Sequence, residues 1–205
     1  MGCAEIALHF QGVAVATPQL QNVLGRSWVT NTPTGTGYTA IAGGYSHSLA
    51  LTADGSIISW GNDLFNQVTD TPTGSGYTAI AGGRYHSMAL TADGSIVSWG
   101  DDEYNLVTNT PTETGYTAIT GSYFHSLALA ADGSIVWWGL DYLFTNPPAG
   151  AGYIAIADGS FHGLALTSDG SIVSWGSDTD EQLKDTPVRT GYTAIAAGRA
   201  HSLAL

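Results

Sequence analysis

Cysteine occurs once in these 205 residues, at Cys3, so no internal disulfide and no thiolate metal cluster can form. Basic residues are nearly as scarce: 5 Lys and Arg stand against 17 Asp and Glu, a formal net charge of -12. A chain so acidic repels phosphate backbones, which excludes nucleic acid as an expected partner. No apolar run approaches the ~20 residues of a membrane helix, so no membrane partner is expected either. The opening stretch MGCAEIALHF has neither a basic leader nor a long apolar core, and Ile6 stands where a myristoylation signal carries Ser or Thr. No secretion route is visible and the compartment is open, although low lysine with abundant Thr, Gly, Tyr and Trp leans towards an extracellular composition.

What the chain does have is a thirty-nine-residue repeat. Tyr38 to Gly76 recurs at Tyr77 to Gly115 with 28 of 39 positions identical. A third copy, 116–152, is two residues shorter; a fourth, 153–191, has full length; a fifth, 192–205, is partial. A period of this size points to a solenoid, propeller or array. Within a unit, apolar residues alternate with small or polar ones, as two-faced strands require. Tyr38 to Ala42 reads as a first strand, His47 to Leu51 as a second and Ser56 to Trp60 as a third. Gln67 to Thr71 is expected as a short outer strand, stopped by Pro72. Asp54-Gly55 between the second and third strands signals a tight hairpin, and it returns at Asp93-Gly94, Asp132-Gly133 and Asp169-Gly170. Four short antiparallel strands cannot bury both faces alone, so units must stack, and radial stacking gives an all-β propeller of four-stranded blades.

The string AGGxxHSLALxxDGSIxSWG resembles the RCC1-like repeat, and the short TP-containing links are most similar to the branch of the proteinaceous β-lactamase inhibitor II. The resemblance covers residues 38–205 and implies a β-propeller that works as a protein-binding module. That family usually closes with seven blades, more than this length provides. Residues 1–37 read as a degenerate N-terminal blade of the same propeller domain, because Ile6, Leu8, Gly12 and Val15 fall where Leu49, Leu51, Gly55 and Ile58 fall. On that count the chain holds about five blades, with the final half-unit expected to pair with Gly12 to Ala16. If the ring stays open instead, its free edges favour homo-oligomers, and a chain that is part of a longer propeller is the third alternative.

His47, His86, His125, His162 and His201 occur once per unit, mostly beside a Ser, with an Asp seven residues on in the complete copies. Such a set invites a hydrolase reading. Catalysis needs one constellation, however, whereas a residue wanted in every unit serves packing or satisfies a buried polar group, so no enzyme is expected. A histidine ring holds a metal only when its nitrogens converge to within ~2.1 Å of one ion, and neither metal nor cofactor is expected. Trp60, Trp99, Trp138 and Trp175 read as core.

Function is expected where the copies disagree. The pairs just before each His vary, as do the residues just after each Trp-Gly. The candidate partner-binding set is therefore Tyr45, Arg84, Tyr85, Tyr123, Phe124, Phe161 and Arg199 from the first loop, with Phe65, Asp101, Asp102, Glu103, Tyr104 and Tyr142 from the second. Aromatics and Arg dominate interface hot spots, and an acidic rim favours a basic patch opposite. In the inhibitor branch that the chain resembles, aromatics at the pre-His position grip the partner, which maps to Tyr85, Phe124 and Phe161, while Ser46 and Ala200 depart from the pattern. The leading expectation is a non-catalytic module binding a partner protein, with enzyme inhibition as one form of it. A lectin-like carbohydrate-binding propeller is the alternative, and a guanine-nucleotide exchange factor ranks last.

Overall fold

The structure, a computed structural model, describes residues 32–140 and 147–205. Each full unit contributes one three-stranded antiparallel sheet. The first contains β1 (Tyr38–Gly43), β2 (His47–Thr52) and β3 (Ile57–Gly61). The next three hold β4 (Tyr77–Gly82), β5 (His86–Thr91) and β6 (Ile96–Gly100); β7 (Tyr116–Gly121), β8 (His125–Ala130) and β9 (Ile135–Gly139); and β10 (Tyr153–Asp158), β11 (His162–Thr167) and β12 (Ile172–Gly176). The partial unit gives a two-stranded sheet of β13 (Ile195–Ala197) and β14 (Ser202–Ala204). The expected degenerate blade over residues 1–37 falls almost wholly outside the described residues, and so does its pairing through Gly12 to Ala16.

The expected fourth strand does not form. In its place Asn66, at φ 61°, turns the chain into the left-handed region. The Asp63 carboxylate then accepts the amides of Val68 and Thr69, at 2.8 and 2.9 Å, coiling Gln67 to Asp70 into turns. Thr71 ties this coil to the third strand through Ser59, at 2.7 Å. Asn and Asp satisfy these amides locally, so no ladder is needed. The Asp-Gly hairpin is also longer than expected: Gly55 N–H donates to the Thr52 carbonyl at 3.0 Å and only Gly55, at φ 78°, is left-handed. That is a type I turn followed by a Gly bulge, not a two-residue primed turn. A Cβ on Gly55 would lie 2.6 Å from the Gly76 nitrogen, because the hairpin carbonyls of Asp54 and Gly55 accept the amides of Gly76 and Tyr77 that open the next unit.

Central strands are buried on both faces. Leu49, Leu51 and Ile57 of one blade pack on Ile80, Ala89 and Trp99 of the next; Met88, Leu90 and Ile96 pack on Tyr116, Ala128 and Trp138. The large residues point forward and the small Ala faces back, so successive sheets nest. Each core cluster joins two consecutive blades, and none among the described residues joins the first blade to the last. The indole of Trp99 reaches back to donate to the Gln67 carbonyl at 3.0 Å, and that of Trp138 to the Leu106 carbonyl at 2.9 Å.

The histidines are scaffold between blades. His47 Nε2 meets Ser87 Oγ at 2.8 Å, His86 meets Ser126 at 2.8 Å and His162 meets Ser202 at 3.1 Å. The Asp of the same unit is elsewhere: Asp54 holds Thr52 and Ser56 in the exposed hairpin. One blade breaks the pattern in two places at once. Gly163 stands where the accepting Ser belongs, and Asp158 stands where the other units have Gly82 or Gly121; its carboxylate takes over His125 Nε2 at 2.6 Å. The freed space is used, since a Cβ on Gly163 would lie 2.3 Å from the Trp175 ring. Ser122 Oγ lies 3.1 Å from His125 Nδ1 and donates to the His125 carbonyl. Although Ser122, His125 and Asp158 form a Ser, His and Asp set, they are 5%, 1% and 4% exposed, which leaves no room for a substrate.

Asp158→Gly and Gly163→Ser should each destabilise the fold, one by stripping His125 of its acceptor and the other by striking Trp175. Together they restore the arrangement of the neighbouring blades. A urea-denaturation cycle should therefore show favourable coupling of about 0.5–3 kcal/mol, and additive losses would disprove the compensation.

Acid should also weaken the stack. Burial lowers His47 to about 4 and His86 to about 3, so the unfolded chain takes up protons that the folded one refuses. Their contribution is present above the ordinary His value near 6.5 and is lost as pH falls towards 4 and 3. Asp158 has the opposite sign: burial raises it from the ordinary Asp value of 3.8 to about 6, so its contribution is present below 3.8 and lost as pH rises through 6. The two histidines outweigh the one Asp. The melting temperature should fall from pH 7 to pH 4.5, and more steeply in Asp158→Asn, which lacks the opposing group.

Candidate functional site

The two variable loops of each unit are fastened to one another at one end of the blade. The amide just past Trp-Gly donates to the carbonyl just before His: Asn62 to Ser46 at 2.8 Å, Asp101 to Tyr85 at 3.0 Å, Leu140 to Phe124 at 2.8 Å and Ser177 to Phe161 at 2.8 Å. Loops of adjacent blades are also pinned side by side, with Tyr45 N–H on the Gly83 carbonyl at 3.1 Å and Arg84 N–H on the Ser122 carbonyl at 3.0 Å. Beneath them the His ring needs its Gly: a Cβ on Gly83 would lie 2.1 Å from His86 Cε1. The backbone thus forms a continuous wall, and the side chains projecting from it meet across blades.

Seven aromatic rings from four blades are joined there. Tyr45 packs edge-on against Tyr85 and Tyr123, with centroids 6.1 and 5.5 Å apart. Phe65 lies 4.7 Å from Tyr85, and Tyr104 lies 5.4 Å from Phe124. Tyr123 meets Phe124 at 5.0 Å, and Phe124 stacks on Phe161 at 5.4 Å. Arg84 sits among them, its guanidinium carbon 4.1 Å from the Tyr123 centroid and 4.6 Å from that of Tyr85, both in cation-π range. Among the described residues it makes no side-chain hydrogen bond or ion pair, and its buried Nε has no partner. The cluster remains accessible: Tyr45 is 53% and Phe65 37% exposed. Arg84, Tyr85, Tyr104, Tyr123, Phe124 and Phe161 are half-buried.

The acidic residues divide by role. Asp102 accepts the amides of Val107 and Thr108, at 2.8 and 2.9 Å, and so holds its loop just as Asp63 does. Asp101 and the exposed Glu103 are the acids left at the rim. Desolvation lifts Asp101 above the usual carboxylate range, with the Glu103 charge adding and the Arg84 charge opposing. Desolvation and then Glu103 likewise raise the Tyr104 phenol. Arg199 is exposed and enters none of the aromatic contacts, although its carbonyl receives the Ser160 amide at 3.3 Å. Tyr142 lies outside the described residues. Leu64, 75% exposed beside Phe65, also belongs to this surface; its difference from Glu103 in the next unit was the signal for it. Among the described residues no group of three or more His, Cys, Asp or Glu is placed to hold a metal ion, and no helix is long and apolar enough to cross a membrane.

Three segments of the chain, residues 38–67, 77–105 and 153–182, match the regulator of chromosome condensation (RCC1) repeat. No curated protein matches the sequence as a whole. Among solved structures, the chain is similar to Prp20p of Saccharomyces cerevisiae, described with its binding properties to Gsp1p and histones, at 19% identity and a TM-score of 0.67 over 86% of this chain and 57% of that one. The same yeast protein, named as RCC1 and bound to Kap60, aligns at 20% identity and 0.61 over 78% of this chain and 52% of that one. The CRINKLY WD40 ectodomain of the Arabidopsis thaliana receptor kinase ACR4 aligns at 21% identity and 0.63 over 79% of this chain and 58% of that one. The chain thus spans little more than half the length of each. With this likeness of fold, the chain is an all-β repeat protein with blades of the β-propeller type, three of which match the RCC1 repeat.

Proposed function

We propose that this chain is a non-catalytic module that binds a partner protein through the aromatic face around Arg84. One observation carries the reading: seven rings contributed by four blades are joined at an accessible end of the stack, clasping an arginine that has no ion partner among the described residues. Rings and Arg of this kind supply large contact area at low entropic cost, and they dominate measured hot spots. Prp20p, with a similar fold, is described as binding Gsp1p and histones, which makes protein recognition a use to which such blades are put. Asp101 and Glu103 at the rim favour a partner with basic residues around an apolar centre. An enzyme with such a patch would be inhibited by occlusion, which is the finer form of the proposal.

A lectin would repeat one pocket per blade. Here the pre-His pairs differ from blade to blade, and the rings lean on one another instead of standing as separate platforms. The surface suits one asymmetric partner.

Tyr85→Ala combined with Phe124→Ala should leave the melting curve close to that of the parent, because both side chains are half-buried in the end face and not in the inter-blade core. Binding to a protein captured by the parent chain should weaken by about thirtyfold or more, the loss expected from a hot spot worth about 2 kcal/mol. Unfolding of the double variant would show these residues to be core. Retention on a glycan array, with no protein captured, would replace the reading by the lectin.

A further inference from the structure

Arg84 is the cation that the ring cluster encloses, and the way it is held selects what it can bind. A guanidinium carries its donors in its own plane, so rings stacked over its faces leave the N–H edge unengaged. Here Tyr123 and Tyr85 cover it at 4.1 and 4.6 Å, with Phe124 at 6.0 Å. Nε is buried without a hydrogen-bond partner, whereas the two Nη groups, equally unpartnered among the described residues, reach the surface. Neither Asp101 nor Glu103, the acids of the same blade's second loop, forms an ion pair with it. Asp101 instead accepts the Glu103 amide at 3.2 Å. The main chain beneath is pinned, since Arg84 N–H donates to the Ser122 carbonyl and the Gly83 carbonyl takes the Tyr45 amide. The guanidinium is therefore in place before a partner arrives, and little freedom is left to lose on binding.

Whatever meets this edge has to cancel a charge. A protein docked over the rings strips water from Arg84, and a main-chain carbonyl would satisfy one donor while leaving the charge unopposed. A carboxylate does both, because its two oxygens match two parallel N–H groups. A phosphate dianion fits less well, since Asp101 and Glu103 stand at the rim of a chain whose net charge is already -12. The rings also say where in the partner the acid lies. Tyr45 and Phe65 meet Tyr85 on one side of Arg84, while Phe124 and Phe161 carry the surface onward on the other. Contacts on both sides suit a side chain within a segment and not the terminal carboxylate of a chain.

We propose that Arg84 is the polar anchor of the aromatic face and pairs, through its Nη edge, with an Asp or Glu side chain set in an apolar segment of the partner protein. The inference rests on the reading of this face as a protein-binding surface and adds the chemistry at its centre. One acid sits in the middle, apolar residues surround it, and basic residues outside them face Asp101 and Glu103.

The test selects peptides on the full chain from a displayed random library, then titrates the strongest binder as a labelled synthetic peptide by fluorescence anisotropy. Enriched sequences should share an Asp or Glu between apolar residues. Replacing that acid by its amide should weaken binding by about tenfold or more, as should Arg84→Gln in the chain, and the two changes together should cost no more than either alone. The peptide change is read on the unaltered chain, so it decides the matter even where Arg84→Gln fails to fold. No enriched sequence, enrichment without an acid, equal binding of the amide peptide, or losses that add would overturn the anchor. Peptides of that kind that still lose binding in the Tyr85→Ala, Phe124→Ala chain would leave the aromatic face standing and remove only the anchor. Peptides indifferent to that double variant would overturn both.

Discussion

Each central strand in this chain carries apolar side chains on both faces, with large residues on one side and Ala on the other, and this two-sidedness governs the rest of the structure. A sheet of three short strands built this way has no face that tolerates water, so a unit is stable only between neighbours. Leu127 and Ala128, adjacent in sequence, are both fully buried because they point into different interfaces. The polar staples follow from the same constraint. A histidine set between two sheets must find its partner on the next one, and a tryptophan at the outer edge must find a carbonyl on the one before.

Much of this could be read in the sequence, because the relevant signals are local and repeated. Alternation located the strands within a residue or so, Asp-Gly located the hairpins, and the recurrence of His argued correctly that it is structural. The misses have a common cause. Gln67 to Thr71 looked like a strand by composition, but its fate was decided by side chains, Asp63 and Asn66, that satisfy its amides without a ladder. The joint exchange at Asp158 and Gly163 was not noticed in the sequence, because His125, the residue that connects them, lies 33 positions before Asp158 in the preceding blade.

The candidate face was legible in part. Comparing copies singled out the residues before His and after Trp-Gly, and the rings they supply do meet. Contact between Tyr45 and Tyr123 skips a blade and could not be anticipated from any pair of neighbouring units. Nor could the division among the acids, since Asp101 and Asp102 are adjacent, yet Asp102 accepts the amides of Val107 and Thr108 across its loop while Asp101 accepts only that of Glu103 beside it. The position of Arg84, clasped by rings from its own blade and the next, is likewise a product of tertiary packing.

The backbone bonds that join each loop to its partner and to the loop of the following blade bear on how such a surface can change. Because Asn62 is held by Ser46 and Tyr45 by Gly83, an inserted residue would break two bonds at once and tilt the blade beside it. At the fastened positions themselves diversification proceeds by exchanging side chains, so that a new specificity is written as a different ordering of rings and charges over the same backbone, whereas length changes farther along the second loop, where the third unit is two residues shorter.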